Sequence, residues 1–410
     1  AGVTGNLVAG NLIGTDQNGV GAVGNTFGIN IENGPTGNTI GGMTAVARNI
    51  ISGNASHGIH ISGNTSDGNQ IQGNFIGIDV TGATVMGNGG SGVFLNDSDF
   101  NVVGGGTAGA RNIISGNSVH GVSISGNDNL VAGNYIGTDF TGTLDRGNTF
   151  QGVSISGAAL RNIIGTNGDG TEDAGEGNVI SGNNFGGVQI NGSGVDDNIV
   201  AGNIIGLTAA GDAVLGNSQY GVSILAGAQD NLIGTDANGT SDLLERNVIS
   251  GNAGSGVSIQ GNGSSFNVIS GNYIGTDING LLDLGNTNSG VAVSAAASDN
   301  LVGGTSAIER NVISGNDNVG VYVNNASTFD NTIAGNYVGL GADGLTLIAN
   351  TNGIRVSSAT TTTIGGNTPG ARNIISGNAS YGVQIDSNAS QNVVLGNYIG
   401  TDASGTLARA

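Results

Sequence analysis

The feature that most constrains this chain is a phrase that returns along its whole length. The pattern N-x-I/V-x-G-N-x-I/V-G occurs seven times, beginning at Asn6, Asn69, Asn129, Asn198, Asn267, Asn331 and Asn392. Successive copies start 63, 60, 69, 69, 64 and 61 residues apart. A chain that repeats one unit at a nearly fixed period is expected to fold as a stack of similar units.

A second pattern divides this period in two. Twelve copies of the tetrapeptide G-V/I-x-I/L/V follow one another at glycines 29 to 35 residues apart. Each unit of about 32 residues then holds three short apolar alternations, one G-V-x-I and two N-x-I. Period-two alternation, β-branched residues and flanking Gly and Asn predict three short strands per unit and no helix.

Strands that keep the same inward positions in every unit predict the coils of a solenoid. The fold class is therefore all-β, a parallel β-helix with three parallel sheets and about 13 coils around one narrow core. Residues 1–410 are expected to form a single continuous solenoid. Because neither end shows a polar cap or an amphipathic helix, we expect a segment of a longer chain or a protomer that stacks end to end.

These motifs carry a resemblance. G-V/I-x-I/V followed by N-x-I-x-G-N-x-I resembles the right-handed parallel β-helix repeats of pectate-lyase-like and bacterial cell-surface proteins, over essentially all 410 residues. The resemblance implies an extracellular or cell-surface location. It implies no single activity, because this scaffold serves polysaccharide lyases, hydrolases, epimerases, adhesins and inert stalks.

Two kinds of polar residue recur too regularly to be catalytic. Asparagines such as Asn129 and Asn134 begin the second and third strands of successive coils, which predicts inward amides that bond from coil to coil. An arginine precedes the third-strand asparagine in five alternate coils. We expect it to bond loop carbonyls or an Asp of the neighbouring G-T-D unit, such as Asp79, Asp139 or Asp277; the five are Arg48, Arg111, Arg246, Arg310 and Arg372.

Charge restricts the partners. The chain has no lysine, 9 arginines and 29 acidic residues, for a net charge of −20. Nucleic acid and anionic lipid would be repelled, and no apolar run is long enough for membrane insertion. Metal cations, neutral glycans and self-association, end to end or lateral, remain open.

The sequence shows no recognisable catalytic cluster. Pectate-lyase-like enzymes place an arginine or lysine base near calcium-binding carboxylates, and the related pectin hydrolases use close Asp pairs with a His. Here the only Asp-Asp pair, Asp196 and Asp197, lies several coils from His57, His60 and His120. We therefore expect no enzyme, no catalytic residues and no cofactor other than calcium.

Calcium is the one ligand for which the sequence offers a site. Acidic residues stand just before the second strand in several coils, about 5 Å apart at strand spacing, and oxygen ligands would relieve their repulsion. The candidate ligands are Asp67, Asp99, Asp128, Asp197 and Asp230. A denser acidic loop contains Asp169, Glu172, Asp173 and Glu176 but lacks the ligand order of an EF-hand.

Outward positions separate the faces. On the first strand they are mixed and mostly polar, which predicts a face in contact with water. On the third strand they are almost all apolar, and we expect the coil's own loops to cover them; a lateral contact between rods or a sugar-stacking strip is the alternative. The function expected is a structural rod, the stalk of an adhesin or a filament subunit, with a carbohydrate-binding or carbohydrate-active protein as the alternative.

Overall fold

The computed structural model describes residues 4–409, so residues 1–3 and 410 of the predicted solenoid lie outside the described residues. Three parallel sheets of 13, 13 and 12 strands wind along the chain, and each strand pairs with the equivalent strand of the next coil. The predicted all-β parallel β-helix is confirmed. Each connection from one strand to the next parallel strand of the same sheet is of a type that is right-handed in about 98% of cases.

Sheet 1 consists of the G-V/I-x-I/L/V strands. Its parallel register places each inward Val or Ile opposite its counterpart, as Val122 pairs with Val153 and Ile124 with Ile155. The twelve strands are Ile29–Glu32, Ile59–Ser62, Val93–Asn96, Val122–Ile124, Val153–Ile155, Val188–Asn191, Val222–Leu225, Val257–Gln260, Val291–Ser294, Val319–Asn324, Asn352–Ser357 and Tyr381–Asp386.

Sheets 2 and 3 consist of the two N-x-I strands of each coil. Sheet 2 comprises Leu7–Val8, Thr39–Gly41, Gln70–Gln72, Val102–Gly104, Leu130–Ala132, Ile163–Gly165, Ile199–Ala201, Leu232–Gly234, Val268–Ser270, Leu301–Gly303, Thr332–Ala334, Thr363–Gly365 and Val393–Leu395. Sheet 3 comprises Leu12–Ile13, Ile50–Ile51, Phe75–Ile76, Ile113–Ile114, Tyr135–Ile136, Val179–Ile180, Ile204–Ile205, Val248–Ile249, Tyr273–Ile274, Val312–Ile313, Tyr337–Val338, Ile374–Ile375 and Tyr398–Ile399. One helical turn, Asp173–Glu176, interrupts the pattern.

The interior is a single apolar column. Inward Val and Ile of all three sheets form one cluster, in which Val122 and Ile124 of sheet 1, Val131 of sheet 2 and Ile136 of sheet 3 are fully buried. Stacking identical branched residues removes apolar surface from water in every coil, which is the main favourable contribution to folding.

Asparagine ladders hold the corners, as the sequence predicted. The Asn112 amide donates to Oδ1 of Asn134 at 2.9 Å, and Asn134 donates to Asn178 at 3.1 Å. A third ladder, which we did not predict, follows sheet 3 and includes Asn117, whose amide donates to Asn148 at 3.0 Å. The G-N step that recurs after most third strands is the sequence signal for it.

The apolar outer face of sheet 3 is covered by loops of the same chain, as expected. Residues such as Ile50, Phe75 and Val248 are at most 5% exposed. Hairpin-like loops after alternate third strands contribute the buried Ile78, Leu207 and Leu340. Other apolar residues of these loops contribute less, since Leu144, Val214 and Leu282 remain about half exposed.

The recurring arginines lie over aromatic rings of the next coil. Arg246 stands 4.2 Å from the ring centroid of Tyr273, and its Nε donates to the carbonyl of Gly271 at 3.1 Å. The other four repeat this arrangement on Phe75, Tyr135, Tyr337 and Tyr398. The predicted bond to a loop carbonyl is confirmed, but the predicted partner Asp of the G-T-D unit instead accepts N–H groups of its own turn, as Asp277 does from Leu281 and Leu282.

No helix among residues 4–409 has the length and apolar character needed to cross a bilayer.

Candidate functional site

The outer face of sheet 1 is where the coils stop resembling one another. In the middle of the sheet most of its outward residues are serines, with Gln189 between Ser154 and Ser223. Contrary to the predicted contact with water, Ser154, Ser223 and Ser258 are buried, at most 6% exposed. A short hydroxyl between strands about 4.8 Å apart is shielded by longer neighbours. Near the amino-terminal end the same positions hold aromatic rings.

Four rings gather there into what we call the ring patch: Phe27, His57, His60 and Phe94. Phe27 and His60 stack with centroids 5.2 Å apart, and His60 and Phe94 stack at 5.4 Å. His57 lies 5.6 Å from His60 and 5.0 Å from Phe94. All four side chains are partly exposed, so the patch presents ring surface to solvent.

The four rings occupy two positions of the repeat, and the stacking of the coils brings them onto one surface. Phe27 and His57 each precede the glycine that starts a first strand, whereas His60 and Phe94 occupy the outward position inside one. The register pairs His60 with Asn30 and with Phe94, which brings residues 67 positions apart in the chain, Phe27 and Phe94, onto one surface. A further pair, His120 and Phe150, lies farther along the same face at 5.9 Å.

Hydrogen bonds orient both histidines of the patch. The Ser91 N–H donates to Nδ1 of His57 at 2.9 Å, which places the proton of a neutral His57 on Nε2. Nδ1 of His60 lies 2.9 Å from Oδ1 of Asn30. With that oxygen as acceptor, His60 carries its proton on Nδ1 and keeps a free lone pair on Nε2.

Burial keeps the imidazoles neutral. It lowers the pKa of His57, and repulsion from His60 lowers this pKa further. Burial also lowers the pKa of His60, against an opposing effect of Glu32. The pKa of His120 is lowered by burial in the same way. All three histidines of the chain therefore lie on one face as uncharged rings at neutral pH.

The carboxyl-terminal part of sheet 1 is irregular in a different way. Arg355 binds Asp386 through Nε at 3.0 Å and through a terminal nitrogen at 2.9 Å. The Arg355 guanidinium also lies 5.4 Å from the ring centroid of Tyr322. The charges of Arg355 and Asp386 are therefore paired with each other.

The predicted calcium row lies before the second strands, as expected. The Asp99 N–H donates to Asp67 at 3.0 Å, and Asp128 pairs with Arg161 at 2.7 Å. Burial, followed by repulsion from Asp197, raises the pKa of Asp230. Among residues 4–409 no three carboxylates of this row converge within 4.8 Å of one another. Calcium binding by the row stays a prediction.

One acidic triad in the described residues does converge, and sequence reasoning missed it. Oxygens of Asp236, Asp242 and Glu245 lie within 4.8 Å of one another in a loop between sheets 2 and 3. Burial raises the pKa of Glu245, and the charges of Asp236 and Asp242 raise it further, against hydrogen bonds that lower it. The G-T-D start of this loop resembles the regular turns, which hid the extra acids that follow.

No protein-family model matches the chain, and no curated protein matches it by sequence. Solved structures match over most of its length. They include the periplasmic alginate epimerase AlgG, at 10% identity over 91% of this chain and 79% of that chain, with a TM-score of 0.40. The A-module of the Azotobacter vinelandii mannuronan C-5 epimerase AlgE6 matches at 15% identity over 97% and 91%, TM-score 0.38. The Dettilon tailspike protein matches at 14% over 94% and 60%, TM-score 0.34.

The prediction that the chain is not an enzyme is corrected by these matches, because alginate epimerases are among the solved structures that match it. The prediction failed on a physical assumption. It sought a catalytic cluster around the Asp196–Asp197 pair, whereas neighbouring coils join residues whose sequence spacing shows no motif. At 10% to 15% identity and TM-scores of 0.34 to 0.40 the matches assign this chain no activity or substrate. Its own three parallel sheets show that the chain is a parallel β-helix.

Proposed function

We propose that the outer face of sheet 1 binds a polysaccharide through the ring patch. The observation that carries the proposal is the stacking of Phe27, His57, His60 and Phe94, with centroids 5.0 to 6.0 Å apart, on a partly exposed surface. Flat rings with polar edges suit sugars, which present C–H faces for stacking and hydroxyls for hydrogen bonds.

The charges near the patch favour an uncharged glycan. The negative charge of Glu32 acts to raise the pKa of His60, against the effect of burial. The four arginines of the first half of the chain make their contacts away from the patch. Arg48 and Arg111 lie on sheet 3 rings, Arg146 donates to the Ala83 carbonyl, and Arg161 pairs with Asp128. A uronate polymer would meet an acidic protein with no local cation to receive it.

Binding by the full chain can be measured directly. We expect isothermal titration with soluble neutral polysaccharides, such as glucans and mannans, to detect binding, and alginate to bind more weakly. His60→Ala and Phe94→Ala should each weaken binding at least about tenfold, since each removes a stacking face. Ser123→Ala, an outward position of the same sheet, is the matched control and should bind like the parent chain. Unchanged binding in both patch variants would refute the proposal.

One observation favours carbohydrate chemistry as a second candidate function. Neutral His60 holds a free lone pair on Nε2 beside the charge of Glu32, and such a group can act as a general base. Incubation with polysaccharides in D₂O, followed by NMR for deuterium at ring carbons and by an assay for new reducing ends, tests this. His60→Gln should abolish any such activity while the fold is retained.

The structural rod remains the competing hypothesis, and an extracellular or cell-surface location is part of either proposal. A stalk or filament subunit should present a surface that is alike from coil to coil, which the ring patch is not. End-to-end association of the rods stays a prediction. Sedimentation across a salt series tests it, because salt screens the repulsion of a net charge of −20 and should strengthen association.

A further inference from the structure

One coil of the rod lacks the arginine stack that the equivalent coils have. In five alternate coils an arginine lies over an aromatic ring of the next coil. At the sixth equivalent coil Gly177 stands in place of the arginine, and Ile204 stands in place of the ring. Both members of one stack are therefore missing together, between the stack of Arg111 and the stack of Arg246.

The backbone leaves no room for an arginine at this position. In the intact stacks the arginine Nε donates to the carbonyl of a glycine in the next coil, as Arg246 does to Gly271. The equivalent carbonyl here belongs to Gly202, and a Cβ placed on Gly177 would collide with its oxygen. No side chain from position 177 can therefore fill the space over Ile204.

The missing stack leaves a pocket on the outer face of sheet 3, which we call the gap pocket. Its volume is about 330 Å³, within the range of about 300–1,000 Å³ that is typical of ligand sites. The strand register places Ile204 between Val179 and Val248, so the floor is apolar. The residues that define the gap pocket are Arg111, Tyr135, Asp173, Val179, Ile204 and Val248.

Arg111 supplies free hydrogen-bond donors to the gap pocket. Its guanidinium lies 4.1 Å from the ring centroid of Tyr135, and its Nε donates to the Gly133 carbonyl at 3.1 Å. Its two terminal nitrogens have no hydrogen-bond partner among residues 4–409. A guanidinium can bind a carboxylate through two parallel N–H···O bonds, so Arg111 is suited to hold an anionic group. Arg246 also lines the pocket, but its guanidinium lies over Tyr273 of the following coil.

Asp173 brings an opposite charge that has no partner. Only 5% of this residue is exposed, and its Oδ2 accepts the Gly170 N–H at 2.9 Å. Its Oδ1 is buried and has no hydrogen-bond partner in the described part of the chain. Arg111 and Asp173 line the same pocket without forming an ion pair. A buried carboxylate oxygen ordinarily receives a hydrogen bond, so a donor is missing at this place.

We propose that the gap pocket binds a free α-amino acid with a large apolar side chain, such as leucine or phenylalanine. The carboxylate of the amino acid binds the guanidinium of Arg111, its ammonium supplies the donor that Asp173 lacks, and its side chain packs on Ile204. One unpaired cation and one unpaired anion beside an apolar floor complement a zwitterion better than an ion of either sign. The site lies on sheet 3 and does not depend on glycan binding by the ring patch on sheet 1.

Calorimetric titration of the full chain with L-leucine and L-phenylalanine tests this proposal. We expect one molecule bound per chain. Three related compounds each remove one contact: 3-phenylpropionate lacks the ammonium, 2-phenylethylamine lacks the carboxylate, and glycine lacks the apolar side chain. Each should bind at least about tenfold more weakly than phenylalanine, because a charged hydrogen bond or an apolar contact is lost.

Two variants test the assigned residues. Arg111→Met removes the donors, and Asp173→Asn keeps an acceptor for the Gly170 N–H but removes the charge. Each should weaken phenylalanine binding at least about tenfold. The matched controls are Arg310→Met, which removes the same kind of stack from Tyr337 outside the pocket, and Asp242→Asn, which accepts the Gly239 N–H in a similar turn. Both controls should bind phenylalanine like the parent chain.

A second measurement separates binding from stability. Arg111→Met and Arg310→Met should lower the urea midpoint by similar amounts, because each loses one stack and one bond from Nε to a glycine carbonyl. No binding of leucine or phenylalanine by the parent chain, or unchanged binding in both pocket variants, would overturn the proposal. Equal affinity for phenylalanine and 3-phenylpropionate would overturn the role of Asp173. Loss of binding in Arg310→Met would overturn the placement in the gap pocket.

Discussion

The corners of the solenoid and the outer face of sheet 1 differ in how regularly their residues repeat from coil to coil. At the corners one residue type recurs in coil after coil and makes the same bonds, as Asn112, Asn134 and Asn178 do. On the outer face the residue changes from ring to serine to ion pair along one sheet. Repetition there is not needed for folding, because outward side chains do not stack in the core. The comparison teaches that in this chain regularity marks structure and departure from regularity marks candidate function.

The strongest way to break this comparison is to remove one corner amide. The Asn134 side chain donates to Val103, Ala132 and Asn178 and accepts two bonds from Asn112. Asn134→Leu would leave these buried groups unpaired, and we expect a loss of unfolding free energy on the order of 3–5 kcal/mol. Urea denaturation followed by circular dichroism measures it.

The control for this prediction lies on the outer face. Ser123→Ala removes a partly exposed hydroxyl for which no side-chain hydrogen bond is found in the described structure, and it should change stability by less than about 0.5 kcal/mol. Equal denaturation midpoints for the two variants would show that the corner ladder is not structural.

A smaller effect should separate function from stability within the outer face. His57→Ala with His60→Ala removes two of the four patch rings. We expect glycan binding to fall at least about tenfold, or 1.4 kcal/mol, while the urea midpoint falls much less than for Asn134→Leu. A variant that loses stability and binding in proportion would place the patch among the structural elements.

The arginine stacks should have a smaller effect still, because they repeat in alternate coils and lie near the surface. Arg246→Met loses the contact with Tyr273 and the bond to Gly271, and we expect a cost of about 1 kcal/mol. Arg246→Lys keeps the charge but not the flat guanidinium and should recover only part of the loss. A full recovery with lysine would show that charge alone matters.

The smallest effect concerns pH. Burial lowers the pKa of all three histidines below the ordinary value of 6.5, so the unfolded chain binds protons more readily than the folded one. Stability should therefore be highest above pH 6.5 and fall as the pH decreases from about 7.5 to 5.5. Melting temperatures across that range should fall less in a His57→Asn, His60→Gln variant; an identical slope would contradict the stated cause.

Almost all of the backbone structure could be predicted from the sequence. Inward residues such as Ile136 and ladder residues such as Asn134 keep one parity relative to the repeat, and in a solenoid each meets its own counterpart in the next coil. A contact between equivalent positions is therefore visible in the sequence itself. The third ladder, with Asn117, was equally accessible through its G-N step and was overlooked.

Contacts between unlike positions could not be predicted in this way. Arg48 meets Phe75 of the next coil, and Phe27 meets His60, because loop length and side-chain length decide which neighbours touch. The same holds for two loops between sheets 2 and 3, where Gly168 adjoins Glu245 across a coil that the sequence places between them.

The sequence by itself determined the coil, its three strands, its apolar column and its asparagine corners, since each of these follows from one repeated unit stacked on itself. Only the tertiary structure decided what the surface can do. The ring patch combines residues from different positions of different coils, and the distances between its rings depend on how far each loop projects before the next coil covers it. The period of the sequence repeat does not determine how far each loop projects.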